Sequence, residues 1–257
     1  MCSMPFVEIN GLKTFYEETG KGKPLLLVHG ACSNTTIWFN QLASLSKKLR
    51  IFAIDLPGHG KTESLTLKGT IERYADHVAS FMKGIELKKT AIGGTSMGGM
   101  VVQQLCLRHP EMVDRLILHD TAAKIPISVE ALELYRNQFE STQRLLSELS
   151  FSKKTMRNNP ALVHQHVQED LKTNRRTATD DYEATGAFDF TTMIERIEVP
   201  TLIIRGTDDL LIPESMTQFL HEKIKGSIVE AIPDSGHVNM IEKPDELNKV
   251  ILRFMEV

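Results

Sequence analysis

The string Gly94-Thr95-Ser96-Met97-Gly98 follows the apolar run Thr90-Ala91-Ile92 and precedes a helical stretch from Gly99 to Arg108, so a serine sits on a tight turn from strand to helix. The spacing reads as a nucleophile elbow. Such a turn holds the serine in a strained backbone conformation, and a β-carbon at either flanking glycine would collide with the neighbouring chain. The same string also arises as a plain structural glycine turn, but three further motifs in order along the chain favour the chemical reading.

Pro24-Leu25-Leu26-Leu27-Val28 runs into His29-Gly30-Ala31. The apolar run predicts a buried parallel strand, and the sharp bend after it exposes backbone N–H groups to a developing negative charge. The N–H groups of Ala31 and Met97 are assigned to an oxyanion hole, where loss of one donor costs about 3 kcal/mol of barrier. The ring of His29 is read as packing under the loop. Asp55-Leu56-Pro57-Gly58-His59-Gly60 closes the strand Arg50 to Ile54. A turn so rich in glycine and proline is a scaffold element, and His59 is read as part of it rather than as a base.

Val199-Pro200-Thr201-Leu202-Ile203-Ile204-Arg205-Gly206 predicts another buried strand, followed by Thr207-Asp208-Asp209 and a helix start at Pro213,. Ile228 to Ile232 predicts a final strand, after which Pro233-Asp234-Ser235-Gly236-His237 forms a loop able to aim an imidazole back at the elbow. A serine hydroxyl is a poor nucleophile near neutral pH. It needs His237 to take its proton, and His237 needs a carboxylate to hold its tautomer and stabilise the imidazolium. Asp208, Asp209 and Asp120, the last at the end of the strand Arg115 to His119, are the candidates for that carboxylate.

With these residues in place, the chain resembles the α/β-hydrolase fold enzymes, in the branch that holds small carboxylesterases, enol-lactonases, proline iminopeptidases and cofactor-free haloperoxidases. The likeness covers nearly all of residues 5 to 257 and is vaguest from 121 to 198. It rests on His29-Gly30, Asp55 to Gly60, Gly94 to Gly99, Gly206 to Pro213, and Gly236-His237 followed by Glu242 and Pro244. The elbow extended as Ser96-Met97-Gly98-Gly99-Met100, leading into Arg108-His109-Pro110-Glu111, is similar to the enol-lactonase and esterase members. The order Ser, Asp, His fits the family. Its pattern places the acid three residues after the strand-end glycine and four before the proline, which selects Asp209.

The resemblance implies an α/β fold with a mostly parallel eight-stranded sheet flanked by helices. Residues 1–120 and 199–257 would form the core, with a helical lid, 121–198, inserted between strands six and seven. It implies a serine hydrolase that cleaves a small carboxylic ester or lactone through an acyl-enzyme on Ser96, with no cofactor. Hydrolysis of a carrier-linked acyl ester, of a carbon–carbon bond or of an N-terminal peptide bond would use the same residues, and a non-catalytic receptor could keep them. A Met at 97 leaves perhydrolysis open. Dehalogenases and epoxide hydrolases of this fold resemble the chain less, because they carry Asp where Ser96 stands. Trp38, Phe39 and Met100, with Met97, are candidates to line an apolar acyl pocket; Trp38 and Phe39 would equally suit a helix core.

Strands are predicted near 6–9, 12–18, 24–29, 50–55, 89–93, 115–120, 201–205 and 227–232, with a hairpin at Asn10-Gly11 and parallel pairing elsewhere,. Apolar spacing predicts helices from Ile71 to Lys83 and from Pro244 to Met255,. In the lid, Ser128 can cap a helix running toward Phe139, and Asn159-Pro160 can start another through Leu171,. His164 and His166 fall on different faces of such a helix, which argues against a metal site. The window 151–179 holds Lys153, Lys154, Arg157, Lys172, Arg175 and Arg176 against Glu169 and Asp170. It reads as a solvated face or as a docking surface for an acidic acyl carrier.

A formal charge of −3 over 257 residues, with the charges scattered, argues against a nucleic-acid partner,. Cys2, Cys32 and Cys106 are odd in number and lack metal or redox spacing, which points to a reducing cytoplasm,. No apolar leader and no run long enough to cross a bilayer is read from the sequence.

Overall fold

A computed structural model describes residues 6–256; Cys2 lies outside them. Eight strands, β1 (Phe6–Ile9), β2 (Leu12–Gly20), β3 (Lys23–Val28), β4 (Leu49–Ile54), β5 (Thr90–Thr95), β6 (Val113–His119), β7 (Thr201–Gly206) and β8 (Ile228–Ile232), form one sheet in the order β1-β2-β4-β3-β5-β6-β7-β8. The β1/β2 and β2/β4 pairs are antiparallel and all others parallel. At the hairpin both Asn10 (φ 51°) and Gly11 (φ 79°) take positive φ, the requirement of a tight turn that matches strand twist.

The parallel strands are apolar on both faces because helices cover both. Leu26, Val28, Phe52, Ile54 and Ile92 pack with Tyr74 and Phe81 of α2 (Ile71–Gly84) and with α3 (Met97–Arg108). Their neighbours Leu25, Leu27, Ile51, Ala53 and Ala91 point the other way, onto Leu45 of α1 (Phe39–Leu45) and Phe254 at the far end of the chain. Side-chain alternation along each strand therefore feeds two cores, and each fully buried leucine contributes about 1.5–3 kcal/mol. Helix α2 starts at Thr70, whose hydroxyl accepts from the Arg73 N–H at 3.2 Å, the N-cap arrangement.

Between β6 and β7 the chain forms five helices: α4 (Val129–Asn137), α5 (Phe139–Leu149), α6 (Lys153–Asn158), α7 (Pro160–Asp170) and α8 (Arg175–Ala187). The excursion leaves and returns at one place, where Phe190 N–H donates to the Ala123 carbonyl at 2.9 Å. The helix expected from Ser128 to Phe139 is broken: Gln138 leaves helical geometry (φ −128°, ψ 50°), and α5 begins anew at Phe139. No proline or glycine marks that break, after which α5 packs against α7. The helix expected after Asn159 is present, capped by the Asn159 side chain. The chain closes with α9 (Glu214–Lys223), α10 (Asn239–Glu242) and α11 (Pro244–Met255).

Candidate active site

β5 ends and α3 begins within two residues, and Ser96 between them has φ 53° and ψ −123°, a strained conformation that costs a non-glycine residue about 1–3 kcal/mol. Its surroundings enforce it. The Ser96 N–H donates to the His119 carbonyl at 3.0 Å, and its carbonyl accepts from the Gly99 N–H at 2.9 Å and the Thr121 hydroxyl at 2.7 Å. The glycines are needed for close approach: a Cβ on Gly94 would lie 2.2 Å from the Gly98 carbonyl oxygen, and one on Gly98 would lie 2.3 Å from that of His29.

The loop after β8 carries His237 to the same cavity. Its Nδ1 donates to Oδ2 of Asp209 at 2.8 Å, while Oδ1 of Asp209 accepts from the N–H groups of Leu211 (2.8 Å) and Ile212 (3.0 Å). Burial pushes the Asp209 carboxyl up, but the His237 charge and these donors outweigh it and hold it below the usual carboxylate range. With Nδ1 engaged, Nε2 is the nitrogen available to the cavity that His237 and Ser96 share. Glu242 fixes the histidine loop, accepting from the Gly236 N–H at 2.6 Å and from the Ser152 hydroxyl at 2.7 Å.

Neither of the other aspartates bonds His237. Asp208 is exposed and accepts from the Thr207 hydroxyl. Asp120 is fully buried; its Oδ1 accepts from the Gly206 N–H (2.8 Å) and its Oδ2 from the Asn239 amide (2.7 Å). Burial and the adjacent Asp209 charge push the Asp120 carboxyl well above the usual range.

Ala31 lies in the turn after β3 and lines the cavity. Met97 is the first residue of α3, so its N–H has no acceptor within the helix,. The His29 ring is structural: Nε2 accepts from the Leu56 N–H at 3.0 Å, so Nδ1 donates to the Gly30 carbonyl at 2.8 Å, and burial holds its pKa well below the histidine range. His59 is scaffold as well, with both ring nitrogens facing acceptors: the Pro57 carbonyl at 3.2 Å and Asp181 at 2.8 Å. Burial disfavours its charge, but Asp181 outweighs that and raises its pKa.

Two cavities meet at Ser96. One is narrow and has the more polar wall of the two, including Gln143, Ser147, His166 and Asp170. The other is roomier and apolar, running between Ile125, Ile127, Leu134 and Leu146. The aromatic residues read as pocket candidates are placed differently. Trp38 is 2% exposed and packs beneath the sheet, its ring 6.1 Å from that of His119. Phe39 is 71% exposed and borders an outer groove. Met100 lies one turn after Met97 on the same helix face, and both are buried in the core under α3,. The apolar lining comes instead from the segment before α4 and from α4, α5 and the loop after Asp209.

His166 and Asp170, one turn apart on α7, pair at 3.3 Å. Asp170 is thus buried, not a solvent charge. Of the basic window, Lys154 pairs with Asp234 at 2.8 Å, Lys172 pairs with Glu169, and Arg175 and Arg176 donate to the carbonyls of Arg136 and Thr66. Among the described residues no cluster of His, Cys, Asp and Glu could hold a metal, and no helix is long and apolar enough to cross a membrane.

Residues 23–244 match the family model of the alpha/beta hydrolase fold. The chain is 29% identical to the 2-hydroxy-6-oxo-6-(2'-aminophenyl)hexa-2,4-dienoic acid hydrolase of Metapseudomonas resinovorans, over 97% of this chain and 90% of that one. Among solved structures it is similar to a thermophilic esterase from Thermogutta terrifontis, with 28% identity, 98% of both chains covered and a TM-score of 0.89. It is also similar to the enol-lactonase from Burkholderia xenovorans LB400, with 25% identity, 98% of this chain and 100% of that one covered, and a TM-score of 0.91.

Proposed function

The chain belongs to the alpha/beta hydrolase family, and on that premise we propose that it is a serine hydrolase cleaving a small carboxylic ester or lactone through an acyl-enzyme on Ser96. The observation that carries this reading is the 2.8 Å bond from His237 Nδ1 to a carboxylate held below its usual range, with a strained Ser96 in the wall of the same cavity. In it, Nε2 of His237 takes the hydroxyl proton as Ser96 attacks the carbonyl carbon. The N–H groups of Ala31 and Met97 hold the oxyanion, and His237 then protonates the leaving alkoxide. Water deacylates the enzyme by the same steps in reverse, with Asp209 keeping the imidazole's tautomer throughout. The helices between β6 and β7 act as a lid over this site, and the buried thiols Cys32 and Cys106 suit a reducing cytoplasm.

The more polar of the two cavities supports a neutral substrate. Its lining contains no lysine or arginine, and His166, the cationic candidate there, is already paired with Asp170. A carboxylate entering the cavity would meet the buried Asp170 and find no lysine or arginine to pair with, an unfavourable encounter in a low-dielectric site,. A neutral ester or lactone avoids that penalty. Carbon–carbon hydrolysis, the second reading, is suggested by the dienoic acid hydrolase likeness, and this cavity disfavours it for a substrate whose acid group must enter there.

Turnover of a panel of p-nitrophenyl esters and unsubstituted lactones, set against a 2-hydroxy-6-oxo-dienoate, tests the proposal. Esters or lactones are expected to give the larger kcat/KM. Preference for the dienoate would overturn the ester reading in favour of the second.

A further inference from the structure

Cys32 follows the oxyanion residue Ala31 and has φ 58°, a conformation that a residue with a β-carbon holds only when its surroundings enforce it,. Both of its backbone groups are tied to the helices between β6 and β7. Its N–H donates to Oδ2 of Asp181 on α8 at 2.9 Å, and its carbonyl accepts from the hydroxyl of Thr173, just before α8, at 2.8 Å. These partners lie 149 and 141 residues away along the chain.

Asp181 is itself immobilised. Its carboxylate is completely buried and accepts from His59 Nε2 at 2.8 Å and from the Tyr74 hydroxyl at 2.9 Å, in addition to the Cys32 N–H. His59 is braced in turn by the Pro57 carbonyl. Three donors on one buried carboxylate offset its desolvation and leave it a single position, because any displacement would strand a charge without partners. The chain from Asp55 to Gly60, helix α2 and helix α8 thus converge on the Asp181 carboxylate, which holds the Ala31–Cys32 peptide, the peptide that directly follows the one carrying the Ala31 N–H.

We propose that Asp181 and Thr173 are positioning residues that hold the strained Cys32 peptide and through it aim the Ala31 N–H at the oxyanion. The inference rests on the acyl-enzyme reading given above. It makes the helices between β6 and β7 more than a cover: without Asp181 and Thr173 in place, one of the two oxyanion donors is not set. Neither residue touches the substrate or the reacting atoms.

The second-order rate of Ser96 labelling by a fluorophosphonate reads the oxyanion hole without requiring the natural substrate, because the phosphonyl oxygen occupies it. Asp181→Asn is expected to slow labelling about 10- to 100-fold, with kcat for p-nitrophenyl acetate falling in parallel and KM holding within about threefold, as for misplacement of a donor by about 1 Å. Thr173→Val, which replaces a hydroxyl with a methyl group and leaves the Asp181 contacts intact, is expected to slow labelling about three- to tenfold; Thr173→Ser should restore it. If Asp181→Asn fails to fold, Thr173→Val and Thr173→Ser decide the matter. A purely structural role would lower the melting temperature while leaving the labelling rate per folded molecule unchanged, and labelling of the variants within about twofold of the parent would overturn the inference alone. A parent protein not labelled at Ser96 would overturn the acyl-enzyme reading and this inference together.

Discussion

The imidazole of His237 and the carboxylate of Asp209 meet at 2.8 Å although they leave different strands, β8 and β7. Neighbouring parallel strands end side by side, so the loops following them project to the same edge of the sheet, the edge at which β5 delivers Ser96,.

Asp209→Asn should therefore lower kcat by about 10⁴-fold, since an amide favours the wrong imidazole tautomer. Asp208→Asn should leave kcat within about twofold, because that side chain is exposed and does not touch His237. Asp120→Asn should cost about tenfold or less: its carboxyl accepts from the Gly206 N–H and the Asn239 amide and lies beside Asp209 and His119, but it does not bond His237. Steady-state kinetics of the three variants would show a different order if the wrong carboxylate has been assigned.

Asp170 provides a test of substrate charge. Burial pushes its carboxyl up while His166 and the Ser147 hydroxyl pull it down, and the net shift is upward. Asp170→Asn removes the acid from the polar cavity and should raise kcat/KM for an ester bearing a carboxylate by about tenfold relative to its neutral counterpart, a change of about 1.4 kcal/mol. Equal effects on both esters would mean that the cavity does not select on charge.

Stability should depend on pH through buried histidines. Burial pulls His77 and His119 down to about 4 in the folded protein, whereas an unfolded histidine titrates near about 6.5. The folded pKa is the lower one, so the unfolded chain takes up protons first as pH falls. The stability these residues confer is complete above about 6.5 and is lost as pH drops toward 4, with about 3 kcal/mol at stake for each. Urea unfolding midpoints should fall across that window, and His77→Gln should make the fall shallower. Parallel pH profiles for parent and variant would contradict the assignment for His77.

The elbow, the strand ends and the two amphipathic helices α2 and α11 were legible in the sequence because their signals are local: glycines where a Cβ collides, apolar residues at the period of each element, a cap one turn before its partner. The pairing of Asp209 with His237 agrees with the spacing of Asp209 from Gly206 and Pro213. Asp181 and the polar cavity were not legible, nor was the burial of Asp170, because the Cys32 and Ser147 contacts that define them join residues more than twenty positions apart. Trp38 and Phe39 are adjacent in sequence yet face the core and the solvent respectively, a division set where a short 3₁₀ turn gives way to α1. Their chemistry suited a pocket, and only that turn decided otherwise.

The covalent intermediate on Ser96 is best tested by rapid acid quench during turnover of a p-nitrophenyl ester, followed by peptide mapping by mass spectrometry. The parent protein should release about one p-nitrophenol per molecule in a burst and carry the acyl mass on the peptide containing Ser96, while Ser96→Ala shows neither. Turnover with no acyl adduct, or an adduct on another residue that persists in Ser96→Ala, would contradict the acyl-enzyme mechanism.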